Sequence, residues 1–239
     1  MKDFLKEACE NLDIYITEHM VNQLFSYKDM LIEHNKNINL TAITDEKDII
    51  LKHFVDSLVG SKHIKNFFLK EPCVIDIGTG AGFPGIPLAI ALPDVNFTLL
   101  DSLAKRTDFL ELVCNKLGLS NVKIVTARTE DAAHELDYRE KYDFCVSRGV
   151  APLYKLLELG IGFVKPFGSF LAYKGAKAFE EIEEAKESLN IFGCSVSKIY
   201  KYTLPTTDIS PNLIFVDKKV QTPLIYPRKP NKIKNNPLK

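Results

Sequence analysis

The chain of 239 residues is long enough for one sizeable α/β core, and its 46% hydrophobic and 26% charged residues are those of an ordinary globular protein. Its 31 basic and 31 acidic residues cancel, which argues against a wholly basic binding module, and its five scattered cysteines predict reduced thiols in the cytoplasm rather than disulfides or a metal site. No signal peptide or membrane span is expected, because the longest apolar run, around Phe83 to Leu92, carries two prolines.

The first 65 residues are predicted to form a helical cap. Thr17 is placed to cap a helix that runs to about Lys36, since apolar residues recur along it at helical spacing. Thr44 is predicted to cap a second helix from Asp45 to about Val59.

After Pro72, strand-like runs alternate with helical ones. The predicted strands are Cys73–Gly78, Asn96–Asp101, Val122–Ala127, Tyr142–Arg148, Ser169–Lys174, Ser195–Thr203 and Leu213–Val220. The predicted helices are Pro84–Leu92, one capped by Ser102 and ended by Gly118, a short one from about Glu130, Pro152–Phe163, and an acidic one that ends near Phe192. A turn is expected at Lys165–Gly168.

Alternation of strands and helices predicts a parallel sheet covered on both faces, and the last two strands, joined only by a loop, should be antiparallel to each other. Seven strands with a terminal hairpin resemble the plan of a class I S-adenosylmethionine (SAM)-dependent methyltransferase, a Rossmann-like α/β fold whose last strand is antiparallel. We therefore expect a single domain, with a helical cap at 1–65, a SAM-binding core at 72–220 and a basic tail at 221–239.

A glycine-rich loop lies between two apolar runs in the segment VIDIGTGAGFPGIPLAI, residues 74–90. It follows a predicted strand and opens a helix, which is the position of a dinucleotide-binding loop. The dinucleotide fingerprint requires glycine at its first, third and sixth places, but the sixth place holds Phe83 and the glycines fall at Gly78, Gly80 and Gly82. This spacing disfavours a pyrophosphate and suits SAM, which has no phosphate and needs a backbone that bends beneath its methionine portion.

An acidic residue closes the second predicted strand. Asp101 follows Gly82 by nineteen residues, and an acid at that place can accept hydrogen bonds from both hydroxyls of a ribose. The alternative is that Asp101 only caps the next helix beside Ser102. The glycine loop upstream favours the ribose role.

The sequence closely resembles one family, the bacterial small-subunit rRNA guanine-N7 methyltransferase G, also called glucose-inhibited division protein B. The likeness runs along nearly the whole chain, and Gly-Phe-Pro-Gly-Ile-Pro and Tyr-Pro-Arg-Lys-Pro are its most specific motifs. It is carried by residues 39–43, 53–58, 76–89, 101–106, 128–130, 147–153, 174–175 and 226–230. Thr129 and Gly149 stand where the family often has alanine, and Asn231 stands where it usually has glycine.

The resemblance implies methyl transfer from SAM to N7 of a guanine in the 530 loop of 16S rRNA, guanine 527 in rRNA numbering, by a cytoplasmic protein that is expected to be a monomer and to act on the 30S subunit. The cofactor contacts that it and the glycine spacing imply are Gly78, Gly80, Phe83, Asp101, Ser102, Leu103, Thr129, Glu130 and Arg148. The basic tail, seven cations without an acid from Lys218 to Lys239, would contact RNA through Arg228 and Lys229. The other interpretation of the tail is a solvated, disordered end.

The implied reaction needs no general base. Guanine N7 carries a lone pair and no proton, so it can attack a sulfonium methyl directly, and the enzyme must mainly position the two reactants. We accordingly expect no catalytic dyad, and we name Arg148 and Lys174, at the ends of the fourth and fifth strands, as candidate substrate contacts. His53 and Ser57, with Asp56 beside them, resemble a hydrolase triad, but their place on one short helix predicts structural hydrogen bonds between cap and sheet.

Three alternatives stay open at the level of sequence. A different SAM-dependent methyltransferase would act on tRNA or a small molecule. An NAD-dependent oxidoreductase would need a pyrophosphate site that Phe83 argues against. A protein that kept this fold only to bind RNA would bind rRNA without methylating it.

Overall fold

The computed structural model describes residues 1–65 and 72–239. The cap consists of α1 (Lys2–Glu10), α2 (Glu18–Ile38), α3 (Glu46–Asp48), a π-helical stretch (Ile49–Val55), α4 (Asp56–Leu58) and α5 (Ser61–Lys65). Thr17 caps α2 as predicted, since its side chain accepts the Met20 N–H. The prediction for Thr44 is wrong: Asp45 takes the extended cap conformation, and its carboxylate accepts the Asp48 N–H at 3.0 Å.

The core alternates strands and helices in the predicted order. Its strands are β1 (Cys73–Ile77), β2 (Asn96–Asp101), β3 (Val122–Thr126), β4 (Tyr142–Arg148), β5 (Val164–Lys174), β6 (Cys194–Lys201) and β7 (Asn212–Lys218). Its helices are α6 (Gly85–Ala91), α7 (Ala104–Leu117), α8 (Thr129–Ala132), α9 (Leu153–Gly160) with a 3₁₀ turn (Ile161–Phe163), α10 (Ala178–Glu184) and α11 (Lys186–Ile191), and α12 (Pro230–Asn235) lies in the tail.

The seven strands form one sheet in the order β3-β2-β1-β4-β5-β7-β6. The pairings from β3 to β5 are parallel, and β7 runs antiparallel to both of its neighbours, β5 and β6. The predicted terminal hairpin is confirmed. The carboxyl ends of β1, β2 and β4 therefore meet at one edge, beside the reversal of strand order where ligands bind in such sheets.

Several element ends shift by one or two residues, and three predictions differ from the structure in kind. Ser102 does not cap α7, because Leu103 is the cap residue and its N–H is taken by Asp101. The acidic helix is broken into α10 and α11 at Ala185. The turn expected at Lys165–Gly168 lies inside β5, where the register with β4 shifts and Phe167 has a φ of 70°.

Two apolar clusters cover the sheet, one on each face. The cap helices pack with α6 and α7 over one face, where Tyr27, Phe54 and Phe109 are fully buried. The helices α8 to α11 cover the other face together with Leu238 from the tail. In the part of the chain that the structure describes, no helix is both long and apolar enough to cross a bilayer.

Candidate cofactor site

A cavity of about 500 Å³ lies at the carboxyl edge of the sheet, over the glycine loop. Its volume falls within the range of small-molecule pockets. Eight of the nine predicted cofactor contacts line it: Gly78, Gly80, Phe83, Asp101, Ser102, Thr129, Glu130 and Arg148. The ninth, Leu103, is 52% exposed and lies outside the lining. Their role as cofactor contacts stays a prediction, but the structure does bring these residues together from the glycine loop, the ends of β2 and β4 and the start of α8.

The glycine loop has a backbone that a side chain would disturb. Gly78 and Gly82 have φ values of 63° and 104°, in the region that favours glycine. A Cβ on Gly82 would lie 2.6 Å from Ile86, so the loop is also packed closely against α6. The cap holds the loop from the other side, because the buried Tyr27 hydroxyl donates to the Ala81 carbonyl. The loop is thus a rigid floor whose shape depends on both the core and the cap.

The N-terminus of α6 has no amide group available for a pyrophosphate. The Gly85 N–H donates to the Asp76 carboxylate at 2.9 Å, and the Ile86 N–H donates to the Gly82 carbonyl. The flanking residues Pro84 and Pro87 have no N–H to offer. Asp76 is fully buried, and burial raises its pKa to about 7. Since dinucleotide-binding folds hold the pyrophosphate at this helix terminus, the geometry argues against NAD and fits a cofactor without phosphate.

Asp101 lines the cavity, and its carboxylate already accepts hydrogen bonds from the protein. Its Oδ1 accepts the Leu103 N–H at 3.0 Å, and its Oδ2 accepts the Gly80 N–H at 2.9 Å and a longer contact of 3.3 Å from Arg106. A carboxylate offers about four acceptor positions, so one on Oδ1 remains for a ribose hydroxyl. The long Arg106 contact is the weakest of the three and frees a second position if that half-buried side chain turns away. Asp101 therefore fixes the backbone of the cap residue that precedes α7 and retains the capacity to bind a ribose.

Phe83 forms the apolar wall of the cavity and carries a stack of planar groups. The His53 ring lies parallel to it at a centroid distance of 4.3 Å, and the Arg148 guanidinium carbon is 5.1 Å from its centroid. Burial and the Arg148 charge lower the pKa of His53 to about 3, so the imidazole is neutral. Its Nδ1 accepts from Arg148 at 3.1 Å, so Nε2 carries the proton and donates to the Thr41 hydroxyl at 2.8 Å.

Arg148 joins the sheet to the cap. Its Nη1 donates to the Lys52 carbonyl at 2.8 Å and to Asp56 Oδ2 at 2.7 Å, and its side chain is 16% exposed. Ser57 accepts the Tyr173 hydroxyl through its carbonyl at 2.8 Å. The structural hydrogen bonds predicted for His53, Asp56 and Ser57, between the cap and the sheet, are confirmed. Arg148 contributes a face to the cavity, while most of its donors are held by the cap.

Lys174 is placed less favourably for the substrate contact that the sequence suggested. Its Nζ lies 2.7 Å from Glu181 and donates to the Ala151 carbonyl at 2.6 Å, and its side chain is 7% exposed. Burial lowers its pKa, although Glu181 opposes the shift. The cation is therefore largely neutralised by its neighbours.

The tail is docked against the core. Arg228 forms a two-pronged ion pair with Glu158, at 2.7 Å from Nε to Oε1 and 2.8 Å from Nη2 to Oε2, and the Glu158 side chain is 1% exposed. Arg139 donates to the carbonyls of Thr222, Pro223 and Tyr226. The RNA contact predicted at Arg228 does not agree with this placement, because its donors serve a buried carboxylate. Lys229, by contrast, is exposed.

The cavity also contains residues that the sequence did not point to. They are Leu40, Thr79, Ala81, Arg106, Arg128, Gly149, Val150 and Leu159. All of them except Leu159 carried a signal that was available, since they lie within stretches that resemble the family. Leu159 had no such signal, because only the packing of α9 brings it to the cavity.

The strand order, the glycine loop and the cavity without a phosphate cradle define a class I SAM-dependent methyltransferase. Residues 20–209 match the family GidB, described as rRNA small subunit methyltransferase G, and the chain belongs to this family.

The similarity to known proteins extends over the whole chain. The chain is 47% identical over 241 residues to "Ribosomal RNA small subunit methyltransferase G" of Alkaliphilus oremlandii, covering 100% of this chain and 99% of that protein. It is 43% identical over 237 residues to the protein of the same name from Clostridium perfringens, covering 99% and 98%. A solved SAM-dependent methyltransferase from Aquifex aeolicus superposes with a TM-score of 0.52 at 22% identity, covering 72% of this chain and 93% of that one, and this likeness concerns the fold.

Proposed function

We propose that this protein transfers the methyl group of SAM to N7 of a guanine in the 530 loop of 16S rRNA. The observation that carries the proposal is the cavity between the glycine loop and Asp101, in a chain that belongs to the small-subunit methyltransferase G family. The full-length similarity to proteins named for this activity supports rRNA as the substrate. We further propose a cytoplasmic monomer that acts on the 30S subunit, with cap, core and tail folding as one domain.

The residues of the chain fit the cofactor in distinct ways. Asp101 would accept a ribose hydroxyl, the glycine loop would lie beneath the methionine portion, and Glu130 would lie on the adenine side. SAM, when bound, supplies an electrophilic methyl group. The task left to the protein is to orient the acceptor guanine and exclude water, and a glycine loop held by both the core and the cap is suited to that task.

The cofactor assignment is tested by calorimetric titration of the protein with SAM and with NAD. We expect binding of SAM alone, and Asp101→Asn should weaken it about 10-fold or more, because a hydrogen bond to a charged acceptor is lost. Asp108→Asn changes an exposed acid on α7 outside the cavity and should leave the affinity unchanged. Binding of NAD without SAM would refute the assignment.

The substrate assignment is tested separately. Purified 30S subunits and naked 16S rRNA from a strain that lacks the gene should accept labelled methyl groups, and mapping should place N7-methylguanine in the 530 loop. Transfer to tRNA instead would favour another SAM-dependent methyltransferase. Binding of rRNA without any transfer would favour a protein that only binds RNA.

A further inference from the structure

A second cavity, of about 280 Å³, adjoins the cofactor cavity. Arg148 and Gly149 line both of them. Gly149 has a φ of 70°, and a Cβ built on it meets no atom within 4 Å, so its backbone faces open space between the two cavities. A group held in the second cavity would therefore lie next to one held in the first.

One wall of the second cavity comes from the loop between β6 and β7. Leu204, Ile209 and Pro211 form this apolar wall. The loop is held in shape because the Leu204 N–H donates to the Ile209 carbonyl at 2.9 Å and the Tyr202 N–H donates to the Pro211 carbonyl. Leu204 is 1% exposed, whereas Ile209 is 41% exposed and stands at the rim. An ordered apolar wall of this kind suits the face of a flat base.

One carboxylate lines the same cavity. Among the residues of the described chain that line the cavity, Asp56 alone is acidic. Its Oδ1 accepts the Tyr202 hydroxyl at 2.6 Å and its Oδ2 accepts from Arg148 at 2.7 Å, so each oxygen keeps one acceptor position. Guanine presents N1–H and N2–H donors on the edge opposite N7, whereas adenine presents an acceptor at N1. A fixed carboxylate therefore distinguishes guanine from adenine.

The cations around the cavity differ in how firmly they are paired. Arg148 and Lys174 are held by buried or partly buried acids, as described above. Among the described residues, Lys52 is paired with Asp48 alone, at 2.8 Å, and both side chains are about one-third exposed. Exposed pairs on one helix contribute little, so Lys52 is free to exchange this partner for a phosphate.

We propose that this second cavity receives the target guanine, turned out of its stack, with Asp56 binding the N1–H and N2–H edge, Ile209 covering the base and Lys52 contacting the adjacent phosphate. The inference rests on the proposed function and specifies its acceptor site. Enzymes that modify a base commonly extrude it into a pocket of this kind. With Asp56 bound to the donor edge, N7 on the opposite edge is left uncovered, and its place in this arrangement is the Gly149 opening that both cavities share.

The first experiment fills the cavity. Ile209→Trp should lower methyl transfer to rRNA at least ~100-fold while calorimetry shows an unchanged affinity for SAM, since a large side chain at the rim blocks the base but not the cofactor. Leu136→Trp places the same side chain at a position that is 84% exposed and outside both cavities, and it should retain wild-type transfer. Wild-type transfer by Ile209→Trp, or loss of SAM binding, would overturn the proposal and leave the proposed function standing.

The second experiment separates base recognition from a structural role of Asp56. An rRNA fragment with inosine at the target position keeps N7 and lacks the N2 amino group. The wild-type protein should methylate it about 10-fold or more slowly than guanine, and Asp56→Asn should discriminate less between the two, whatever its absolute rate. Equal guanine-to-inosine ratios for both proteins would refute the role of Asp56. If wild-type protein methylates neither RNA, the proposed function fails together with this site.

Discussion

Replacing Arg228 by alanine tests whether the basic tail is a structural element or an RNA contact. The guanidinium is bound by both oxygens of Glu158, whose side chain is 1% exposed. Removing one partner of a buried ion pair costs about 3–5 kcal/mol, because the other charge is left without a partner. The main-chain N–H of residue 228 still donates to Oε1 at 3.1 Å in the variant. We therefore expect the lower end of that range, about 3 kcal/mol.

For a chain of this length, a loss of about 3 kcal/mol corresponds to a melting temperature lower by about 6–12 °C. Differential scanning calorimetry measures this shift. Lys229→Ala is the matched control, since it removes the neighbouring exposed cation and should change stability by less than about 0.5 kcal/mol. Glu158→Gln added to Arg228→Ala should recover part of the loss, because it removes the unpaired buried charge.

The same variant should also weaken SAM binding. Glu158 lies next to Leu159, which lines the cofactor cavity, and the His134 ring after α8 bonds to the Pro227 carbonyl at 2.8 Å. The tail thus fastens α8 and α9, the two helices on one side of the cavity. Arg228→Ala could instead melt at the same temperature as the wild type, bind SAM with the same affinity and lose affinity for rRNA. That result would show that the structural explanation is wrong and that the sequence-based prediction of an RNA contact is right.

Three further predictions concern the loop and the cap. Gly85→Ala should lower the free energy of unfolding, measured in urea, by about 1–3 kcal/mol, because the new Cβ would lie 2.2 Å from a leucine of β2. Gly175→Ala is the control and should lower it much less, because a Cβ there meets nothing within 4 Å. Tyr27→Phe should lower the free energy of unfolding by about 1–3 kcal/mol, because it leaves the buried Ala81 carbonyl unpaired. It should also weaken SAM binding, and an unchanged affinity would contradict the coupling between the cap and the glycine loop. Burial and a nearby arginine lower the pKa of His53 to about 3, so below pH 6.5 the unfolded chain binds a proton that the folded chain does not. Stability should therefore fall by about 2 kcal/mol from pH 7 to pH 5 through this group, and His53→Gln should flatten that slope in urea titrations; parallel slopes would refute the assignment.

The strand order was accessible from sequence because each core strand is a short apolar run with turn residues at its ends. The bounds of β2 and β4 agree with the structure at both ends. The cap of α3 was not accessible in the same way, since Thr44 and Asp45 are adjacent and both residue types cap helices well. Only the backbone conformation, extended at Asp45, decides between them.

The roles of two arginines were the hardest to predict, because their partners are distant in sequence. Arg148 is paired with Asp56, 92 residues away, and Arg228 with Glu158, 70 residues away. In the sequence, neither arginine has an acidic residue directly beside it. Unpaired arginines are also typical of an RNA-binding surface, so the sequence alone does not separate the two roles. The glycine loop was easier to predict, because the glycines themselves mark the positions where the backbone takes conformations that other residues disfavour.

The pairings at the carboxyl edge explain why the cap belongs to the site. Arg148 donates to a carbonyl, a carboxylate and an imidazole that all belong to the cap, and Asp56 receives Tyr202 from the far end of the sheet. Each of these bonds has Arg148 or Asp56 as a partner; both residues line the second cavity, and Arg148 lines the cofactor cavity as well. Two of the polar groups that attach the cap to the sheet thus also shape the cavities. A substitution that loosens the cap should therefore alter both cofactor affinity and methyl transfer, even where it touches neither ligand.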